Sequence, residues 1–256
     1  MPIQLTTDDH IARMLLDRPE KLNALTLEML SSIENHLDTL EKDPSVRVLL
    51  ITGAGQKSFC VGADINAWAE LDAVGMWRNW IREGHRIFNR IATMNIPTIA
   101  VLNGYTFGGG LELALSTDIR IASHTVRFAL PEVKLGIVPG WGGTNRLPAV
   151  IGTARAKQMV FTGMQIDTAT ALQWGLINEA CEPSMLNTKA DKIASMICEN
   201  APLAVQMTKQ LIDGGVSAGN GYYLEALASG YARFTDDAKE GITAFKEKRL
   251  ALFTGK

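Results

Sequence analysis

The segments VRVLLITGAG (46–55) and IPTIAVLNG (96–104) are short, nearly continuous apolar runs that each stop at glycine. Such runs suit strands buried on both faces, the usual state of parallel strands in α/β proteins. Between them the spacing is helical. Leu27, Met29, Leu30, Ile33, Leu37 and Leu40 share one face of TLEMLSSIENHLDTLEKDPS (26–45). Residues 68–93 read as one long amphipathic helix carrying Trp68, Trp77 and Trp80, with Trp77 and Trp80 on one face. HIARMLLDRPEKLNAL (10–25) predicts a strand ending at Arg18-Pro19, because proline removes a ladder donor. LELALSTDIRIAS (111–123) begins as helix and turns into strand. Strands alternating with helices place the chain in the α/β class. From about residue 151 the pattern becomes mostly helical, and a helical C-terminal region beginning near Ala201-Pro202 is expected. The chain is therefore divided into a core, 1–200, and a helical region, 201–256.

Charge and cysteine usage exclude several roles. A formal net charge of −2 argues against nucleic acid or an anionic membrane surface as the main partner. Cys60, Cys181 and Cys198 are far apart and odd in number, with neither metal-ligand spacing nor a disulfide framework, so a reducing, cytoplasmic setting is expected. MPIQLTTDDH lacks the basic and apolar regions of a signal peptide, and no apolar run is long enough to span a bilayer.

Several familiar motifs fail on spacing. ITGAGQKS follows a strand, but too few residues separate its glycines from Lys57-Ser58 for a phosphate-binding loop, and Ser58 stands where a dinucleotide loop needs glycine. The four histidines are isolated, and no G-x-S-x-G elbow is present. What remains is YTFGGGLELALS (105–116), where three glycines run into an apolar segment carrying one carboxylate, Glu112. Alone, this is either a tight packing turn or a turn whose free N–H groups face an anion. Two other features favour the second. SFCVGADINAW (58–68) holds another glycine turn after a strand. FALPEVKLGIVPGWGG (128–143) sets Glu132 behind Pro131, 20 residues beyond Glu112. Two turns offering N–H groups, with two glutamates, have the makings of an oxyanion hole and an acid/base pair.

The sequence resembles the enoyl-CoA hydratase/isomerase (crotonase) superfamily. The likeness runs through RPEKLNAL (18–25), GADI (62–65), NGYTFGGGLELALSTDIRIAS (103–123), LPEVKLGIVPGWGGTNRLP (130–148), GLINE (175–179) and EGITAFKEKR (240–249). It implies an α/β fold made of a spiral of ββα units, with a C-terminal helical region that forms trimers, commonly paired into hexamers. It implies an acyl-CoA thioester as substrate, with no separate cofactor and no metal. The N–H groups of Ala63 and Gly109 match the oxyanion hole. Glu112 and Glu132 match the two acids of the hydratases: one activates a water for C3, and Glu132 protonates C2. Gly140 matches a backbone position beside the water. Gly108 and Pro131 flank these groups. Lys21 and Ala24 match the nucleotide end of CoA, Asp64 and Ile65 lie along it, and Lys248 matches a lysine offered across a subunit boundary.

Both glutamates are kept, which favours water addition or elimination: an enoyl-CoA hydratase. An isomerase, or another acyl-CoA lyase such as a carnitinyl-CoA dehydratase type, is the alternative within the fold; a non-catalytic or RNA-binding relative is the remote one. Three positions depart from the usual pattern: Asn66 replaces a common lysine, Val61 is bulkier than usual, and Trp68 stands where a flexible residue is common. Trp68 or Trp141 is expected to close the far end of the pocket, so that short acyl chains such as crotonyl are preferred.

Overall fold

The computed structural model describes residues 2–214 and 221–256. Among the described residues, ten strands run in chain order: β1 (Ile3–Asp8), β2 (Ile11–Leu16), β3 (Val48–Gly53), β4 (Ser58–Cys60), β5 (Thr98–Leu102), β6 (Tyr105–Phe107), β7 (Ile119–Ser123), β8 (Arg127–Ala129), β9 (Ile166–Asp167) and β10 (Glu179–Cys181). They form a six-stranded sheet in the order β1-β2-β3-β5-β7-β10 and a four-stranded sheet in the order β4-β6-β8-β9. β1 and β2 form an antiparallel hairpin; every other pairing in the larger sheet is parallel. Each winding of the chain adds one strand to each sheet and then a helix. This is the expected spiral of ββα units, seen in β3–β4, β5–β6 and β7–β8.

The central strands of the larger sheet, β3 and β5, are buried on both faces. Leu49 and Ile51 of β3, with Ala100 and Leu102 of β5, face the main core beside helix Leu27–Lys42 and helix Arg82–Ala92. Val48 and Leu50, with Ile99 and Val101, face the other way, onto Leu186, Ala190 and Ala194 of helix Leu186–Cys198. Period-two alternation between two apolar faces leaves no polar position, hence the unbroken runs of the sequence.

Three expectations need correction. The hairpin strand β1 has no counterpart among the predicted elements. Its two-residue turn, Asp9-His10, has both residues at positive φ (41° and 72°) and lacks the glycine that usually marks such a turn. The helix expected over 68–93 starts only at Ala73, where Asp72 caps it by accepting from the Gly75 N–H. Trp68 lies outside it, closing a short 3-10 turn, Ile65–Ala67. Met76–Ile81 is then a π-helical turn before the regular helix Arg82–Ala92. The wider winding of a π turn separates Trp77 from Trp80. Trp77 is 62% exposed and Trp80 2% exposed, so they do not share a face.

Helices Pro202–Asp213, Gly221–Phe234 and Asp236–Glu247 make up the described C-terminal region. Lys209 ties the first of them to the core: its ammonium donates to the Ile96 carbonyl at 3.1 Å and to Asp118 at 2.8 Å. Among the described residues, no helix is long and apolar enough to cross a membrane.

Candidate active site

A cleft opens at the C-terminal ends of β4, β6 and β8. Gly62 and Ala63, which follow β4, Gly108 and Gly109, which follow β6, and Pro131 and Glu132, which follow β8, all line it. Val61, Ile65, Trp68, Gly140 and Trp141 line it as well. Glu112 reaches it from helix Gly109–Leu115. Eleven of the fifteen positions singled out in the sequence thus meet in one place. Met76, Trp80, Ile81, Leu135, Ile137 and Val138 also line it and were not among them.

The first turn of helix Gly109–Leu115 is shaped by close approach. Gly108 has φ 52° and ψ −129°, a conformation L side chains avoid, and a Cβ there would lie 3.1 Å from Glu132 Oε1. A Cβ on Gly109 would lie 2.6 Å from Cζ3 of Trp141. Among the described residues, neither the Ala63 nor the Gly109 N–H donates to a backbone acceptor outside regular elements, and Gly109 is the first residue of its helix, where no intrahelical acceptor exists. Ala63 N lies 3.6 Å from the place a Gly109 Cβ would occupy, so the two donors are neighbours across the cleft.

The two carboxylates have different surroundings. Glu112 is 2% exposed, and its Oε1 accepts from the Gly143 N–H at 2.7 Å and the Trp141 N–H at 2.8 Å. Burial pushes its carboxyl above the ordinary range; those two donors, the charge of Arg146 and the Gly140 N–H pull the other way. Glu132 begins a short 3-10 turn, Glu132–Leu135, and its Oε2 is buried without a hydrogen-bond partner. Desolvation, with a smaller contribution from the negative charge of Glu112, pushes its carboxyl up to about 7. The pair therefore offers one carboxylate held by N–H donors and one carboxyl able to keep a proton near neutrality.

Four expected contacts stand outside the cleft. Ala24 is buried, and its carbonyl accepts from the Arg18 guanidinium at 3.0 Å. Asp64 is paired with the same guanidinium at 2.7 Å and caps the Ile65–Ala67 turn, so its carboxylate serves to fix the loop after β4. Arg18 beside it holds the Asp64 carboxyl below the usual carboxylate range. Lys21 is exposed in the Pro19–Lys21 turn next to that loop, and Lys248 is exposed at the end of helix Asp236–Glu247. Trp141 is 2% exposed and packs on Gly109, beside the N–H donors rather than far along the cleft. Among the described residues, no group of three or more His, Cys, Asp or Glu side chains is placed to hold a metal ion.

Known proteins similar to this chain are numerous. The chain is 41% identical to the short-chain-enoyl-CoA hydratase of Clostridium acetobutylicum over 96% of its own length and 94% of the relative's. It is 40% identical to the crotonyl-CoA hydratase of Syntrophomonas wolfei over 99% and 98%. The crystal structure of an enoyl-CoA hydratase from Bacillus anthracis superposes over the whole of both chains with a TM-score of 0.96 at 34% identity. The family profile described as Enoyl-CoA hydratase/isomerase matches residues 6–256. The chain belongs to the enoyl-CoA hydratase/isomerase family.

Proposed function

We propose that the protein is an enoyl-CoA hydratase that adds water reversibly and syn across the 2,3 double bond of a 2-enoyl-CoA thioester. The observation that carries this reading is the placement of Glu112 and Glu132 in one cleft with the N–H groups of Ala63 and Gly109. The thioester oxygen accepts from those two N–H groups as it gains enolate charge. Glu112 takes a proton from water as the water oxygen bonds to C3. Glu132 gives its proton to C2, and the enolate returns to a thioester. Water is consumed, and the proton balance between the two glutamates is restored when Glu112 passes its proton on. Coenzyme A enters as part of the substrate, with no separate cofactor.

Lys21 is proposed to meet the CoA phosphates, and Lys248 to meet them from a neighbouring subunit. Tyr222, Leu227, Tyr231, Phe234 and Phe245 on the last two helices are each at least 65% exposed, an apolar surface that supports a homotrimer, or a hexamer of two trimers, built by region 201–256. Sedimentation of the protein checks that assembly; a monomer contradicts it. Three free cysteines fit a cytoplasmic setting.

A short acyl chain is the proposed preference, supported by the names of the two relatives and by Trp68 and Ile81 at the cleft wall. The test follows loss of the conjugated enoyl absorbance with C4, C8 and C12 2-enoyl-CoA. A blocked cleft gives kcat/KM falling from C4 to C12, whereas an open tunnel gains about 0.8 kcal/mol per CH2 buried. Trp68→Ala is expected to narrow the difference. Preference for C12 contradicts the closed cleft, and double-bond migration without water addition contradicts the hydratase reading.

The acid role of Glu132 has a pH signature. Its carboxyl must be protonated to deliver a proton to C2, so hydration falls as pH rises through about 7. The charge of Glu112 helps to raise that value, so Glu112→Gln lowers the pH at which Glu132 titrates. An unmoved Glu132 titration in Glu112→Gln contradicts the coupling.

A further inference from the structure

Trp141 touches two parts of the site and the helix behind it at once. Its main-chain N–H donates to Glu112 Oε1 at 2.8 Å. The six-membered edge of its indole lies over Gly109, where a Cβ would fall 2.6 Å from Cζ3. The five-membered edge lies over Gly84 of helix Arg82–Ala92, where a Cβ would overlap Nε1. Nε1 donates to the Trp80 carbonyl in the π turn at 3.3 Å. The rings of Trp80 and Phe88 pack on the indole, each with its centroid 5.3 Å away. A rigid plate held on several sides passes a displacement at one edge to the other, because a close-packed interior has little room to absorb it.

Taking the hydratase reading as given, we propose that Trp141 is a positioning residue: its indole is a strut that sets the separation between the Gly109 N–H and the Glu112 carboxylate. Helix Arg82–Ala92 holds the strut from behind, through the bare backbone of Gly84. The indole bears on the turn that supplies the oxyanion donor, while its own peptide belongs to the 140–143 turn that supplies donors to Glu112. One side chain therefore couples two groups that must address the same substrate from different directions. A residue that only filled space would affect stability and leave that geometry to the backbone.

The test pushes the strut from outside the cleft, which Gly84 does not line. In Gly84→Ala the new methyl group meets the indole, and kcat for crotonyl-CoA hydration is expected to fall about 10–100-fold, the scale of a misplacement on the order of 1 Å, with KM changing far less. Loosened Trp141 and Gly143 N–H bonds leave Glu112 titrating at higher pH, and the acid limb of the kcat profile moves the same way. Arg146 donates to the Trp141 carbonyl at 3.1 Å and its charge acts on Glu112, so any shift of the turn that carries it away also leaves Glu112 titrating higher; Glu132, the other charged group beside Glu112, is not in contact with the changed residue. In a Trp141→Leu background no ring covers Gly84, so adding Gly84→Ala is expected to lower kcat little further. Difference infrared titration of the carboxyl groups, with Glu112→Gln as the blank, reads the effect without turnover.

A folded, normally assembled Gly84→Ala protein with native kcat and native Glu112 titration overturns the proposal. So does an equal loss with and without Trp141. If Gly84→Ala does not fold, Trp141→Leu and Trp141→Phe decide. Leucine should move the Glu112 titration and lower kcat, phenylalanine less so; an unmoved titration in Trp141→Leu overturns the strut. A native protein that hydrates no 2-enoyl-CoA sinks the hydratase reading alone, and the titration still judges the strut.

Discussion

Replacing Glu132 with glutamine is expected to lower kcat for 2-enoyl-CoA hydration about 10²–10⁴-fold, the range of a lost general acid. Glutamine keeps the shape and removes the proton donor. It also leaves no charge for Glu112 to repel, so the protein should fold normally. Glu112→Gln is expected to fall in the same range with an additional structural effect. Its Oε1 accepts from two N–H groups of the 141–143 turn, and an amide accepts more weakly than a carboxylate. The double variant should lose less than the product of the single losses, because groups that act as a unit are non-additive. Saturation kinetics check this. Near-native kcat in Glu132→Gln would remove it from the proton transfer at C2.

The second large effect is expected at Gly109. Its backbone is not at positive φ, so alanine is barred there by space alone. A methyl group would sit 2.6 Å from the buried Trp141 ring, and either the ring or the N–H must move. Losing one oxyanion donor lowers kcat roughly 10²–10³-fold in other enzymes, and Gly109→Ala should fall in or near that range, with Gly109→Val worse. A folded, assembled Gly109→Ala protein with native turnover would reduce this glycine to a packing requirement.

The parts of the fold legible in the sequence were those governed by local pattern. β3 and β5 announced themselves as unbroken apolar runs, and helix Leu27–Lys42 by its spacing. Glycines marked both turns that hold N–H groups, and the two glutamates were conspicuous in apolar company. Less legible were features fixed by tertiary contact. The β1–β2 turn uses Asp9-His10 at positive φ without glycine. The π turn Met76–Ile81 differs from an α-helix by its hydrogen-bond offset, which apolar spacing does not encode, so Trp77 and Trp80 could not be told apart by spacing, and Ile81 was missed as a cleft residue. The pairing of the Asp64 carboxylate with the Arg18 guanidinium, from a loop 46 residues earlier in the chain, was not legible either. The Gly143 donor to Glu112 lies within the glycine-rich stretch 136–143, yet which of those glycines turns its N–H inward depends on the fold of the whole turn.

The pairing of β4 with β6 has a consequence for what this scaffold can and cannot vary. Ala63 and Gly109 each lie just past the end of one of these parallel neighbours. The placement of the two donors is therefore set first by the pairing of two strands, whose spacing of about 4.8 Å is a dimension that backbone hydrogen bonding imposes on any sequence. Substitutions on the cleft walls leave it in place; only a change that presses on the turns themselves, as at Gly109, disturbs it. Selection acting on such a chain can change which proton moves, by altering the carboxylates, and which acyl group fits, by altering the walls. The enolate-holding step stays constant beneath both, like a fixed jaw in a tool whose other jaw is exchangeable.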